Sequence, residues 1–362
     1  MFNLLSKLIF YWKKPKVVIV TGQGRTLSAE AIYQTLKQYF KVKKISESEK
    51  SDFLDILKNE ILIFDSKDKE VKKFEFFLNK SQKGTLVVTH GSDIPPEIEV
   101  FGSEREEVKG ALGLAKKIPA QTNLILNFDD ETIREIADVT NLNTLTFGFQ
   151  EGADLKATDI KLNSGTNFKI NYRGNIVPIW LGKLFGKEQI YSALTGICVG
   201  TIFGLNLVEI SEGLKKYQGL AGKMRLIKGI KGSWILDDSQ GASVNTMIEA
   251  LDILKKLEGF KRKIAVLGDI VGVGKYTIEA HETIGEKAAK AASLLFTFGP
   301  RARFIAKEAQ IQGLALERIF QFDKIEEGKI SLQDKIREGD LILVDGSKEM
   351  EMGKIVREIE AI

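Results

Sequence analysis

From Val17 to the C-terminus, short and continuously apolar runs alternate with longer segments whose apolar residues recur at helical spacing. VVIV (17–20) precedes a helical stretch over 29–40, ILIF (61–64) one over 67–79, and TLVVT (85–89) one over 104–117. NLILNFDD (123–130) and TLTFG (144–148) continue the series. Strands that are apolar at successive positions are buried on both faces, and helical connections make their pairing parallel. Between Ala157 and Trp180 the pattern changes to a period of two, broken by Asn-Ser-Gly and Arg-Gly-Asn, which predicts an antiparallel hairpin. Two helices are expected next, over 188–204 and 208–217.

The glycine-rich GLAGKMRLIKGIKG (219–232) reads as a boundary. Beyond it a second alternation begins: SWILDDS, a helix over 244–257, KIAVLGD, a helix over 278–292, SLLFTFG, and DLILVDGS followed by a terminal helix. The predicted organisation is a short segment over 1–15, a parallel-sheet domain over 16–218 and a smaller Rossmann-like domain over 219–362.

Composition narrows the function classes. With 43% hydrophobic and 28% charged residues in 362, the chain reads as globular and long enough for two or three cores. A net charge of +4 gives no dense basic surface, so nucleic acid is not an expected partner. Cys198 is the single cysteine and His90 and His281 the only histidines, which excludes a disulfide framework, a cysteine-rich zinc site and a multi-histidine metal centre. The cysteine usage fits a reducing, cytoplasmic setting. The first residues, MFNLLSKLIFYWKKPK, form an apolar run too short to span a bilayer, and no small-residue cleavage site follows it. Two readings stand: a helix docked on its own domain, or an amphipathic anchor that places residues 1–14 against the inner face of a membrane.

The stretch VVIVTGQGRTLSAEAI (17–32) carries the first candidate chemistry. A strand, a glycine turn and a helix start together present backbone N–H groups to an anion, and a nearby cation completes a phosphate cradle. Gly22, Gly24, Arg25 and Thr26 are the candidate parts, with the Thr26 hydroxyl placed for a nucleotide-bound Mg²⁺. The loop is one residue short of the usual pattern, and arginine stands where lysine is usual. An ordinary strand-to-helix turn explains the same residues.

Downstream, NFDDETIREIA and TFGFQEGADLKATDI (127–137 and 146–160), then LGKLFGKEQIYSALTGICVGTIFGL, GLAGKMRLIKGIKGSWILDDSQGASVNTMIEAL, VLGDIVGVGKYTIEAHETIG and LILVDGSKEMEM follow one another in order. This series resembles the Mur ligases, segment after segment, and its last two motifs resemble the branch that adds D-alanyl-D-alanine to the UDP-N-acetylmuramoyl tripeptide. The resemblance implies an α/β fold with a P-loop-like central ATPase domain and a Rossmann-like C-terminal domain. It implies ATP and Mg²⁺ as cofactors, and a peptide bond made through an acyl phosphate from a muramyl-peptide precursor and D-alanyl-D-alanine or another amino acid or dipeptide. The branch's N-terminal UDP-binding domain has no counterpart in the residues before Val17.

Residue by residue, the resemblance implies that Asp65 stands for a Mg²⁺-binding glutamate and Lys109 for a carbamylated lysine that helps a second Mg²⁺. His90 and Asp93 stand for a histidine and an aspartate of the family, and Glu188-Gln189 replaces its histidine-asparagine pair. Lys223 replaces a nucleotide-facing arginine, and Asp237 is kept where an aspartate helps hold the nucleotide. Asp269 and His281 match, with His281 expected among the catalytic residues, while Asp345 reverses the sign of the family's lysine. These departures open a second reading, a degenerate homologue that binds a precursor, nucleotide or partner without catalysis.

Overall fold

The computed structural model describes residues 4–46, 53–90 and 109–361. The chain divides into two units. The first is Met1–Lys161 with Asn167–Leu181 and Lys187–Gln218, and the second is Leu162–Thr166 and Gly182–Gly186 with Gly219–Ile362.

In order, α1 (Leu4–Lys13), β1 (Lys16–Thr21), α2 (Arg25–Leu36), β2 (Val42–Ile45), α3 (Phe53–Lys58), β3 (Ile61–Asp65) and α4 (Glu75–Lys80) come first. They are followed by β4 (Gly84–Val88), α5 (Lys109–Ala115), β5 (Asn123–Asn127), α6 (Glu131–Asp138) and β6 (Asn143–Gly148). Then come β7 (Leu155–Leu162), β8 (Gly165–Tyr172), β9 (Asn175–Gly182), α7 (Lys187–Ile202) and α8 (Leu207–Leu214). Among the described residues the nine strands form one sheet in the order β2-β3-β1-β4-β5-β6-β7-β8-β9. Val17 pairs in parallel register with Leu62 on one side and Gly84 on the other, so β1 is central. Val17, Val18, Ile19 and Val20 are fully buried, which is why the strand is apolar at every position. Turns of two residues join β7 to β8 and β8 to β9, and connections that short permit only antiparallel pairing.

This order fixes the site. Parallel strands deliver their carboxyl ends to one edge, so the loops after β3, β1, β4 and β5 meet there, with the 22–24 turn flanked by Asp65 on one side and the Thr89–His90 segment on the other. Helices α2 and α7 pack closely on one face. A Cβ on Gly196 would stand 2.8 Å from Thr35 Oγ1, while Glu188 lies beside Gly24, so the helices run side by side with their N-termini together.

α1 docks through one face: Phe10 is buried and meets Phe77 edge-on at 4.8 Å. The Lys13 ammonium donates to the carbonyls of Ile56 and Asn59 at 2.8 and 2.9 Å, satisfying the end of α3. The other face leaves Leu8, Tyr11 and Trp12 exposed. Among the described residues no helix is long and apolar enough to cross a membrane.

The second unit contains β10 (Arg225–Lys228), β11 (Trp234–Asp238), α9 (Val244–Lys256), β12 (Arg262–Gly268), α10 (Thr277–Ala291) and β13 (Leu294–Phe298). It continues with α11 (Arg303–Ile311), β14 (Ile319–Phe322), α12 (Ile325–Lys335), β15 (Asp340–Asp345) and α13 (Gly353–Ile359). Its sheet runs β10-β11-β15-β12-β13-β14; β10 pairs antiparallel with β11, and the remaining neighbours pair in parallel. Ile264, Val266, Phe296, Ile342 and Val344 lie at its centre, fully buried.

Several elements depart from the sequence pattern. The helix expected over 67–79 is a 3₁₀ stretch, Asp68–Phe74, that leads into α4. That expected over 104–117 is described only from Lys109 onward. β10 lies inside the glycine-rich stretch that reads as a boundary, and β2, α3, β14, α11 and α12 carry too few apolar residues at regular spacing to stand out.

Candidate functional site

The turn between β1 and α2 is built by its glycines. Gly22 has φ +95°, and a Cβ there would stand 2.6 Å from the His90 carbonyl oxygen, so the position requires glycine twice over. The Gln23 N–H donates to that same carbonyl at 2.9 Å, and the Thr89 hydroxyl donates to Thr21 O at 3.1 Å and also to Gln23 O. The end of β4 thus clamps the loop. Gly24, with φ +73°, is the N-cap of α2 and supplies no side chain to cap it. Such an end favours an anion. Beside it lies the Glu188 carboxylate, whose Oε1 would be 3.4 Å from a Cβ on Gly24.

Arg25 opens α2 and places Nε 2.8 Å from Asp65 Oδ1. The side chains are 27% and 10% exposed, and the N–H is not aligned on the oxygen, so this is a charge contact in which neither atom has a hydrogen bond. Thr26 follows in the first turn and is exposed. The structure therefore brings Gly22, Gly24, Arg25 and Asp65 together, with Thr26 on the same helix start.

Lys109 is the exposed first residue of α5. The next two N–H groups, of Gly110 and Ala111, donate to the Asp68 carboxylate at 2.6 and 2.7 Å. A Cβ on Gly110 would stand 2.0 Å from Asp68 O, so glycine is obligatory there. Asp68 lies three residues beyond Asp65 and ties the Lys109 helix to that strand end; neither Asp68 nor Gly110 stands out in the sequence.

His90 packs edge-on against Tyr191 with ring centroids 4.5 Å apart, and the Asn127 amide lies 3.0 Å from its Nδ1. The Tyr191 hydroxyl donates to Asp129 Oδ2 at 2.8 Å, and that carboxylate also accepts the N–H groups of Phe149 and Gln150. Burial lowers the His90 pKa, against the opposing pull of Asp130, Glu188 and Asp129, so the ring is neutral at pH 7. Asn127 and Asp129 are legible in NFDD as a motif; Tyr191 gives no signal beyond its place on a helix. Asp93 lies outside the described residues.

A divalent cation and a phosphate fit this donor set. Asp65 Oδ1 is buried without a hydrogen bond, α2 starts on a glycine that has no capping side chain, and Thr26 is exposed. Among the described residues no three His, Cys, Asp or Glu side chains converge as a metal cage. Mg²⁺ keeps several waters and takes phosphate oxygens beside one or two carboxylates.

In the second unit, Asp237 Oδ2 accepts the Gly222 N–H at 2.8 Å, and Oδ1 accepts the hydroxyl and N–H of Ser239 at 2.7 and 3.2 Å. Asp238 accepts the Met224 N–H at 3.2 Å, and Gln240 N–H donates to Gly222 O at 3.0 Å. Lys223 is therefore pinned on both sides. Asp237 shapes the loop that bears Lys223, its oxygens serving the backbone and Ser239.

His281 is fully buried, its Nε2 accepts the Ile270 N–H at 3.1 Å, and its Nδ1 donates to Thr277 O at 2.6 Å. Burial lowers its pKa, and both ring nitrogens are engaged by the backbone. It holds the turn after Asp269. Asp269 in turn accepts the N–H groups of Arg301 and Ala302 at 3.0 and 2.6 Å.

Residues 95–200 match the Mur ligase middle domain, and residues 222–348 match the family described as Mur ligase, glutamate ligase domain. The UDP-N-acetylmuramoyl-tripeptide--D-alanyl-D-alanine ligase of Bacillus subtilis is 24% identical over 243 residues, 66% of this chain and 51% of that protein. The Escherichia coli ligase of the same name is 27% identical over 269 residues, 73% of this chain and 57% of the relative. The chain spans about half the length of these curated relatives. Among solved structures, MurF from Acinetobacter baumannii superposes with a TM-score of 0.79 at 18% identity, covering 98% of this chain and 79% of that one. MurF ligase from Thermotoga maritima in complex with ADP gives 0.75 at 20% identity, covering 98% and 81%. At these identities the structural likeness speaks for the fold. With both family domains matched in order along one chain, the protein belongs to the Mur ligases.

Proposed function

We propose that the chain is an ATP-dependent peptide ligase of peptidoglycan precursor synthesis, of the D-alanyl-D-alanine-adding type, working in the cytoplasm. The observation that carries this reading is the clamped glycine turn over 22–26 with Arg25 and Asp65 at its mouth, in a chain that has both Mur ligase domains. The relative from Thermotoga maritima was solved with ADP, which supports a nucleotide at the corresponding fold position.

In this reaction the γ-phosphoryl group passes from ATP to the carboxylate of the muramyl peptide, releasing ADP. The free amine of D-alanyl-D-alanine then attacks the acyl phosphate, an amide forms, and orthophosphate leaves with loss of the amine proton. The chemistry asks mainly for positioning and charge neutralisation. The N–H groups that start α2 hold phosphate oxygens, and Arg25 adds a cation. Mg²⁺ would be held by Asp65 and Thr26 and would neutralise phosphate charge. Lys109, in carbamylated form, would add a second carboxylate-like group near Asp65. The segments over 16–218 and 219–362 serve as the two domains, and Lys223 is a nucleotide-binding residue by its family position. Turnover is tested by orthophosphate release from ATP that requires both UDP-N-acetylmuramoyl tripeptide and D-alanyl-D-alanine.

We also propose a membrane contact through α1. Leu8, Tyr11 and Trp12 are 60%, 55% and 83% exposed, and the ammonium groups of Lys14 and Lys80 lie 5.8 and 5.7 Å from the Tyr11 ring. An aromatic and aliphatic face ringed by lysines suits the interface of an anionic bilayer. The full chain should co-sediment with vesicles containing an anionic phospholipid, and Leu8→Glu with Trp12→Glu should release it. Equal binding of the two proteins would rule the membrane contact out.

A further inference from the structure

We propose that Asp65 makes phosphate binding at the 22–26 loop conditional on a divalent cation, by holding Arg25 in a neutral pair until the cation arrives. The inference rests on the nucleotide-binding reading of this loop and assigns a control to its residues.

The geometry is specific to this pair. Arg25 is the first residue of α2, where a bound phosphate would meet the helix N-terminus. Its guanidinium is instead committed to Asp65, at the end of the neighbouring strand, with Val20 of β1 paired in register to Asp65. The contact cancels both charges without giving either atom a hydrogen bond, although both atoms are buried. A partner with better geometry for either side would therefore displace it. Phosphate offers Arg25 a bidentate fork, and a divalent cation offers Asp65 a double charge. The Glu188 carboxylate beside Gly24 adds a second reason for metal-free anions to be refused, since it places negative charge next to the helix start.

One exchange thus links the two ligands. A cation taken up by Asp65 releases Arg25 toward phosphate, and phosphate taken up by Arg25 releases Asp65 toward the cation. Linkage makes the effect reciprocal, and couplings of this kind typically amount to about 5–150-fold in affinity. Asp65 accordingly lowers the affinity for the metal-free nucleotide through Arg25, whereas a carboxylate that acted only by its own charge would lower it equally when Arg25 is replaced.

Calorimetric titration of the full chain with ADP, in EDTA and in excess Mg²⁺, separates these cases. Asp65→Asn and Asp65→Ser should each bind ADP in EDTA about tenfold or more tightly than the wild type, and should gain less from Mg²⁺. Compared with Arg25→Ala alone, the double variant carrying Asp65→Asn as well should show no such gain. Thermal unfolding of each variant confirms the folded state before titration. If wild type binds ADP with Mg²⁺ but neither Asp65 variant is tighter in EDTA, the exchange is wrong and the nucleotide reading stands. If no protein binds ADP under either condition, the nucleotide reading falls and the inference falls with it.

Discussion

Replacing Asp340 with alanine is expected to destabilise the second unit by about 2–3 kcal/mol, since it removes a buried carboxylate that accepts charge-assisted hydrogen bonds from a half-buried arginine. Asp340 opens β15 opposite Arg262 of β12, in parallel register, and is 1% exposed. Arg262 Nε donates to Oδ1 at 2.9 Å and Nη2 to Oδ2 at 2.6 Å, a two-point contact that fixes the relative position of adjacent central strands. The Arg337 N–H donates to Oδ2 at 2.8 Å, so the same carboxylate also closes the turn before the strand. Alanine would leave the guanidinium without its counter-charge and the Arg337 N–H without its acceptor. The test is urea unfolding of Asp340→Ala beside Asp340→Asn, which keeps the shape and one acceptor and should fall between alanine and wild type. A loss below about 1 kcal/mol for alanine would rank the contact with exposed pairs.

The second large effect concerns Asp345 and depends on pH. Its carboxyl is fully buried at the end of β15, and neither oxygen has an aligned hydrogen bond. Burial pushes its pKa up to about 7, with Asp237 adding to the rise and the Gly346 N–H and Lys223 opposing it. An unfolded aspartate titrates near 3.9, so the folded chain holds its proton more tightly. Stability from this group is complete below about pH 4, declines as pH rises toward about 7 and is lost above it. Every tenfold difference in proton affinity between folded and unfolded chains is worth about 1.4 kcal/mol, which puts the total on the order of a few kcal/mol. Asp345→Asn should therefore be more stable than wild type at pH 8 and should lose the part of the pH dependence that this group contributes. Unfolding both proteins in urea at pH 5 and pH 8 checks this. Parallel changes in the two proteins would show that Asp345 titrates in the ordinary carboxylate range.

The parts of the fold that can be read from sequence are those with unbroken apolar runs. VVIV, ILIF, TLVVT and NLILN form strands because burial on both faces leaves no polar position to blur the signal. β2, with Lys43 and Lys44 in a four-residue strand, has no such signature, and β10 sits among glycines that read as a linker. At the site, the glycines of the loop are legible because backbone geometry demands them. Which carboxylate faces which cation is not, since Arg25 and Asp65 are forty residues apart in sequence and meet only through the β3-β1 pairing. His281 and Asp237 show the converse. Each matches a family position, yet each spends its polar atoms on the backbone around it, a use that residue identity alone does not reveal.

Ligase activity is tested most directly by orthophosphate release from the purified full chain with ATP, Mg²⁺, UDP-N-acetylmuramoyl tripeptide and D-alanyl-D-alanine. The expected release needs all four components, yields ADP and a UDP-linked pentapeptide in equal amounts, and drops at least about a hundredfold in Arg25→Ala, as loss of a charge at the transferred phosphate should. Release at the rate of a protein-free control, from a chain shown by calorimetry to bind ADP with Mg²⁺, would contradict ligase activity and leave a nucleotide-binding Mur ligase homologue without turnover on these substrates.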